Sequence, residues 1–427
     1  MKKILLAILC VAGGLSLQSC LHDDTEFFDA PAANRIENTV ENTQRILESA
    51  SNGWEMHYYC GKDYVGGALT YLLKFKDGKV TVAADAILST PEERATSSYT
   101  VDRSMGPVIS LNTYNELFHQ LSTPSLSNIQ GAQADWEFVV TRLTEDSIYV
   151  KGKKWDNEMV LTRMPEDTDW TAYLQSLTDA QKQLSENYSI TIDGGKTQMV
   201  EVNNSTRRLS TRDNNNKVVD VPFYTTPTGV HAMKPLNFAG VETADLDITA
   251  DGNLAPKGQK AVELNPYFPT IDDWVGNWSL NCMSGACDID ITKTTTENML
   301  KGTFTVEGYT YAIDIPYDPE TGMLNFTSQD IEDPSETYSG IMFMNADLNQ
   351  GTLLGQGGMN LTWHGVTQEA IFSDDGTLAS DGYYTDTFVG VAIDASGSPV
   401  RVNGSYVFPF AWYYVTGLVF NNKNLAK

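Results

Sequence analysis

The chain has 427 residues, 41% of them hydrophobic and 10% aromatic, which is enough for two or three packed domains and too apolar for wholesale disorder. Its formal net charge of -26 argues against nucleic acid or an anionic membrane surface as a partner, because an acidic field repels phosphate.

Lys2 and Lys3 stand before an apolar run from Ile4 to Leu17, too short to span a bilayer but suited to the core of a signal sequence. Leu17-Gln18-Ser19-Cys20 closes that run and resembles the lipobox of lipid-anchored bacterial proteins. Residues 1–19 are therefore predicted to be removed, leaving Cys20 as the lipidated first residue. An ordinary secretory signal with an accidental Cys20 is the alternative. The acidic stretch His22-Asp23-Asp24-Thr25-Glu26 resembles the export signal that sends Bacteroidetes lipoproteins to the outer face of the outer membrane, and it is also what a solvated tether looks like. The expected location is the outer membrane, lipid-anchored and facing the exterior.

Residues 20–53 read as this tether plus a helix. Asp29 is placed to cap it, Pro31 fits its first turn, Ile36, Val40, Ile46 and Leu47 form a partial apolar stripe, and Asn52-Gly53 is a stop signal. From Trp54 the period becomes alternating. Strands are predicted at 54–59, 69–75, 79–83, 99–101, 108–111, 136–143, 147–151 and 159–163, with an Asp77-Gly78 hairpin signal and a helix over 113–121. These make an N-terminal β-rich domain of α+β type over 54–165. Residues 166–269 hold a bridging helix, with Trp170, Leu174, Leu177 and Leu184 at roughly helical spacing, and a middle β region around the polar segment Asn203 to Lys217. From 270 to 427 short strands separated by acidic glycine turns predict an antiparallel sandwich or barrel. The run from Tyr406 to Phe420 contains Pro409 and Gly417 and reads as closing strands, not as a membrane helix. The fold class expected is mainly β, antiparallel, with a few helices.

Phe27-Phe28-Asp29, the helix leading into Asn52-Gly53-Trp54, Tyr99, Gly106-Pro107, Asn112-Thr113-Tyr114-Asn115, His119 and Asp135-Trp136-Glu137-Phe138 together resemble the DUF4302 family of Bacteroidetes lipoproteins, well over about residues 20–165 and loosely beyond. The resemblance implies a surface lipoprotein working alongside SusC/SusD-type nutrient importers. It supplies no catalytic residues.

The chain carries five cysteines. Cys282 and Cys287 flank Met283-Ser284-Gly285-Ala286, a loop that can bring them opposite one another as a disulfide, with two free thiols as the alternative. Asn115 and His119, four apart on a predicted helix, can present an amide and an imidazole beside Tyr114, or the histidine can simply lock helix to sheet. Trp54, Tyr58, Tyr59 and Trp136 are read as core, as aromatics on alternating strands usually are, with an exposed platform that stacks on sugar faces as the alternative. The pairs Trp363-His364, Tyr383-Tyr384 and Trp412-Tyr413-Tyr414 point adjacent rings to opposite faces, so one of each faces away from the core unless both faces are covered. That set is the better candidate for a binding surface.

Asp245, Asp247 and Asp251-Gly252 approach a calcium loop but lack its spacing and its closing glutamate, and the five histidines lie isolated with no zinc-binding string. A nucleophile elbow and a phosphate loop are also absent. No cofactor and no metal is expected. The function expected is non-catalytic capture of a glycan or peptide as an accessory to nutrient uptake. A surface hydrolase with a carboxylate pair set only by the fold, and a structural or adhesive surface protein, remain open.

Overall fold

A computed structural model describes residues 32–85, 88–104, 106–124, 130–192, 195–259, 261–285 and 287–420. Cys20, its acidic followers, Asp29 and Pro31 lie outside the described residues. Half of the chain is strand and a tenth helix, and every described strand pair is antiparallel. The chain forms two compact units: residues 1–65 with 69–174, and residues 66–68 with 175–427.

The first unit is a closed eight-stranded barrel in up-and-down order. Its strands are β1 (Trp54–Tyr59), β2 (Ala68–Lys76), β3 (Lys79–Ala84), β4 (Ala95–Arg103), β5 (Pro107–Leu111), β6 (Glu137–Leu143), β7 (Ser147–Gly152) and β8 (Glu158–Arg163). Strict alternation explains β1, where Trp54, Met56 and Tyr58 are buried and the residues between them are not. The β2–β3 turn is Asp77-Gly78, with φ of 50° and 69°, the doubly left-handed geometry whose twist matches a tight hairpin. Closure comes from β1 against β8, with Trp54 opposite Arg163 and Met56 opposite Leu161.

Side chains fill the interior, as an eight-stranded barrel of this width allows. Tyr58, Tyr71, Phe118 and Phe138 meet edge to face or tilted, with centroids 4.9 to 6.1 Å apart. Helix α1 (Ala32–Ser49) sends Ile46 and Leu47 into this core, and the Trp54 indole donates to the Leu47 carbonyl at 2.9 Å. A second helix, α2 (Glu116–His119), contributes Leu117 and Phe118. α1 leads into the start of β1 and α2 follows the end of β5; because odd-numbered strands run the same way, the two helices plug opposite mouths. The helix expected over 113–121 is thus one α-helical turn continued by a 3₁₀ turn at Gln120–Ser122. Gly53 ends the α1 connection with φ of 80°, and a Cβ there would lie 2.6 Å from the Leu73 carbonyl oxygen.

The next helix, α3 (Trp170–Gln183), opens with the Asp169 side chain accepting from the Ala172 N–H at 2.8 Å. In the first unit its Trp170 donates to the Asn52 carbonyl at 3.0 Å. The boundary between units falls inside this helix, after Leu174.

The second unit holds an eight-stranded meander over residues 187–266, whose last short strand Asn265–Pro266 returns to pair with Asn187–Ile192. The polar segment Asn203 to Lys217 contains a strand, Arg208–Arg212, stitched to its neighbour by Arg208 on Asp220. Asp245 and Asp247 sit in strand Val241–Ile248, where Asp245 bonds His231 at 2.8 Å, so they form no calcium loop. Beyond Trp274 an eight-stranded and a five-stranded sheet enclose one aromatic core: Phe304 lies 4.5 Å from Trp412, and Phe343 stacks on Phe388 at 4.9 Å. This is the sandwich; the closed barrel is at the N-terminal end.

The meander grips the sandwich at one turn. Asn187 donates to the Trp363 carbonyl at 2.7 Å, and Glu201 accepts the Val366 and Thr367 N–H groups at 2.6 and 3.3 Å, with His364 Nδ1 at 3.8 Å from its other oxygen. Burial raises the Glu201 pKa above its ordinary 4.5, against the lowering by those two N–H bonds, and burial lowers His364 below 6.5.

Two outcomes follow from these contacts. Gly53→Ala should lower unfolding free energy by about 2 kcal/mol, from a left-handed alanine plus the Leu73 contact, read as a lower denaturant midpoint at unchanged slope; an unchanged midpoint contradicts it. Glu201, with its folded pKa raised, stabilises the fold most when neutral, so its contribution is present below pH 4.5 and is lost as pH climbs through the raised value. Melting temperatures of Glu201→Gln and wild type should therefore diverge in the variant's favour as pH rises above 4.5; a pH-independent difference would show that the carboxylate is not the cause.

Candidate binding site on the barrel wall

The loop from the end of β5 to the start of β6 builds an open depression of about 410 Å³ on the outer wall. Its upper side is aromatic. Tyr114 is 65% exposed and Trp136 39%, with the His119 imidazole between them, 5.5 Å from the Tyr114 ring and 6.1 Å from Trp136, at interplanar angles of 33° and 36°. Its floor is polar, made by Asp102 of β4, Ser110 of β5, Asn112 just after β5 and Glu137 of β6. Register produces this floor, since Thr100 pairs with Ser110 and Ser110 with Glu137 across three adjacent strands.

Buried partners hold each exposed ring. The Tyr58 hydroxyl donates to the Asp135 carbonyl at 2.9 Å and accepts the Asp135 N–H at 2.6 Å, which fixes the backbone just before Trp136. The Asp135 carboxylate accepts from the Lys154 and Trp155 N–H groups at 2.7 and 3.2 Å; burial raises its pKa and those bonds pull it back. Asn115 faces inward: its Oδ1 caps α2 by accepting from Phe118 N–H at 3.2 Å, and its amide nitrogen donates to Ser97 at 3.2 Å. Its own N–H donates to His119 Nδ1 at 3.0 Å, so in the neutral ring the proton sits on Nε2. Burial is the main cause that lowers the His119 pKa below 6.5, so the ring is mainly neutral at pH 7. On the floor, Thr100 donates to Asp102 at 2.5 Å, Asn112 to Thr100 at 3.1 Å, and Lys153 to Glu137 at 2.6 Å.

Tyr114 and His119 therefore share one depression, and Asn115 serves as their support and not as a contact surface. Trp136, read from sequence as core, is a wall of the site. Asp102, Ser110 and Glu137 escape sequence reasoning because cross-strand register assembles them; the usable signal was the proximity of Glu137 to Trp136 and of Asn112 to Tyr114 in the stretches that carry the family resemblance.

In the second aromatic set only Trp363 and His364 share a strand, Gly358–His364, and turn to opposite faces; Tyr383, Tyr384, Tyr413 and Tyr414 lie outside the strands, and part of the set must be corrected. Trp363 and Trp412 are core residues at 8% and 3% exposure, packed on Trp278 and Phe304, and offer no surface to a ligand. His364 turns the other way but is covered by Glu201. Tyr384 and Tyr413 are exposed and Tyr383 is half-buried. Tyr414 lies with Asn281, Cys282, Met283 and Thr416 around a second depression of about 370 Å³ at one end of the sandwich. The expected disulfide is not formed: register places Cys287 opposite Leu280, not Cys282, and both thiols are free, Cys282 donating to the Gly285 carbonyl at 2.9 Å. Among the described residues, no three His, Cys, Asp or Glu side chains gather as a metal site, and no helix is long and apolar enough to cross a membrane.

A plugged eight-stranded barrel with an aromatic depression on its wall, followed by a meander and a sandwich, defines a modular all-antiparallel β protein. The chain belongs to the DUF4302 family, described as a domain of unknown function, whose profile matches residues 24–250. The match covers the barrel and the meander through strand Val241–Ile248 and stops before the sandwich. No curated protein matches the chain.

Tyr58→Phe tests the support of the site. It strands the buried N–H and C=O of Asp135 and should lower stability by about 1–3 kcal/mol while loosening Trp136. Denaturant unfolding and faster quenching of tryptophan emission by acrylamide report the two effects, and a variant with wild-type values for both refutes the assignment.

Proposed function

We propose that the protein is a lipid-anchored outer-membrane protein that captures a glycan or peptide, without catalysis, at the depression on its barrel wall, as an accessory to a nutrient importer. Location rests on the Cys20 sequence context and the acidic tether after it. Capture rests on one observation: two exposed aromatic rings, with a neutral imidazole between them, stand over a polar floor of carboxylate, amide and hydroxyl groups. Exposed large rings lose solvation favourably on stacking, and a few oriented polar groups give specificity. The interior of the barrel is packed, so its wall is the surface open to a ligand.

Tryptophan fluorescence titration with glycan and peptide panels tests this. Tyr114→Ala and Trp136→Ala should each weaken binding by about tenfold, the scale of one lost stacking contact with its buried area, and Tyr114→Ala should leave the melting temperature unchanged. Affinities equal to wild type in both variants would remove the depression as the capture site. Loss of membrane fractionation in Cys20→Ser tests the anchor.

A further inference from the structure

Resting on that reading of the depression, we infer that its ligand is a neutral oligosaccharide and that sulfated and uronic acid glycans are rejected. The lining contains the two carboxylates Asp102 and Glu137 and no lysine or arginine. The cation bound nearby, Lys153, already donates to Glu137 at 2.6 Å, which leaves the site net acidic. A ligand sulfate or carboxylate laid on this floor meets like charge with no cation to receive it among the lining residues, and such juxtaposition is costly.

A neutral pyranose fits the same groups at each point. Its apolar C–H face stacks on Tyr114 or Trp136. Its vicinal hydroxyls donate to the carboxylate oxygens of Asp102 and Glu137, and they accept from the Asn112 amide, whose NH₂ has a second proton besides the one given to Thr100. The His119 ring touches both Tyr114 and Trp136, at centroid spacings of 5.5 and 6.1 Å, so a saccharide has two exposed rings on this side of the depression on which to stack. A peptide is the poorer fit. Extended peptides bind β proteins by adding to a strand edge, and the closed barrel has none.

The test is calorimetric titration of the full-length protein in detergent with neutral gluco-, xylo- and manno-oligosaccharides, the sulfated form of each, an oligogalacturonate and a peptide mixture, at low and high salt. At least one neutral series should bind, with its sulfated form about tenfold or more weaker at low salt and the gap narrowing as salt screens the floor. Asp102→Asn with Glu137→Gln, both on the solvated outer wall, should close that gap. A sulfated or uronic glycan binding as tightly as its neutral counterpart overturns the inference and leaves capture standing. Peptide binding without any saccharide does the same, and binding of nothing overturns both readings. Where the double variant fails to fold, the salt dependence of the wild type alone decides: a gap that does not narrow with salt overturns the inference.

Discussion

The pairing of β1 with β8 is the constraint on which the first unit depends. A sheet of eight strands left open would present two rows of unpaired N–H and C=O groups; closing it satisfies them and turns one sheet face wholly inward. Every inward residue is then committed to the core, which is why Trp54, Tyr58, Tyr71, Phe75 and Phe138 interlock and why both mouths require a cover. α1 and α2 are those covers. Closure also decides where a ligand can be held: with the lumen filled, chemistry is left to the outer wall and its loops.

The outer depression is consequently built from the core outwards. Tyr58 is a core ring whose hydroxyl reaches the Asp135 backbone, and Phe118 is a core ring whose neighbour in sequence is His119. Exposed Trp136 and half-buried His119 are each one residue from an anchored position, so the rigidity of the interior reaches the surface across single peptide units. Binding surfaces on rigid supports lose less freedom on complex formation than those on free loops.

Much of the fold was legible in the sequence because alternation and turn chemistry are local. The barrel strands followed from period two, Asp77-Gly78 from its left-handed turn, and the end of α1 from Gly53. Arg208–Arg212 was hidden because its outward arginines and flanking asparagines give a polar reading, while the cross-strand partner Asp220 that makes it a strand is remote. Closure was illegible for the same reason: nothing local in Trp54–Tyr59 names Glu158–Arg163 as its neighbour. At the site, spacing put Asn115 and His119 on one face, whereas Asn115 turns inward as a helix cap and Tyr114 is the ring beside His119; Asp102, Ser110 and Glu137 are gathered by register. Of the aromatic pairs in the sandwich only Trp363-His364 lies in one strand and splits between faces; Tyr383-Tyr384 and Tyr413-Tyr414 fall outside the strands, and His364 is covered by Glu201 from the meander. The cysteine pair failed on a register offset that loop length alone does not determine.

The seam has a mechanical meaning for a chain pulled from both sides of the barrel. Trp54 and Arg163 are the first residue of β1 and the last of β8, and they are partners, so the chain enters and leaves the barrel at the same end of one strand pair. Ladder bonds lie across the strands. Tension drawn between those two points peels the ladder open one bond after another, an unzipping geometry, instead of shearing all bonds at once. The ledge on β4 to β6 lies far around the ring from that seam, so a pull through the chain ends loads the seam first and reaches the Tyr114–Trp136 wall last.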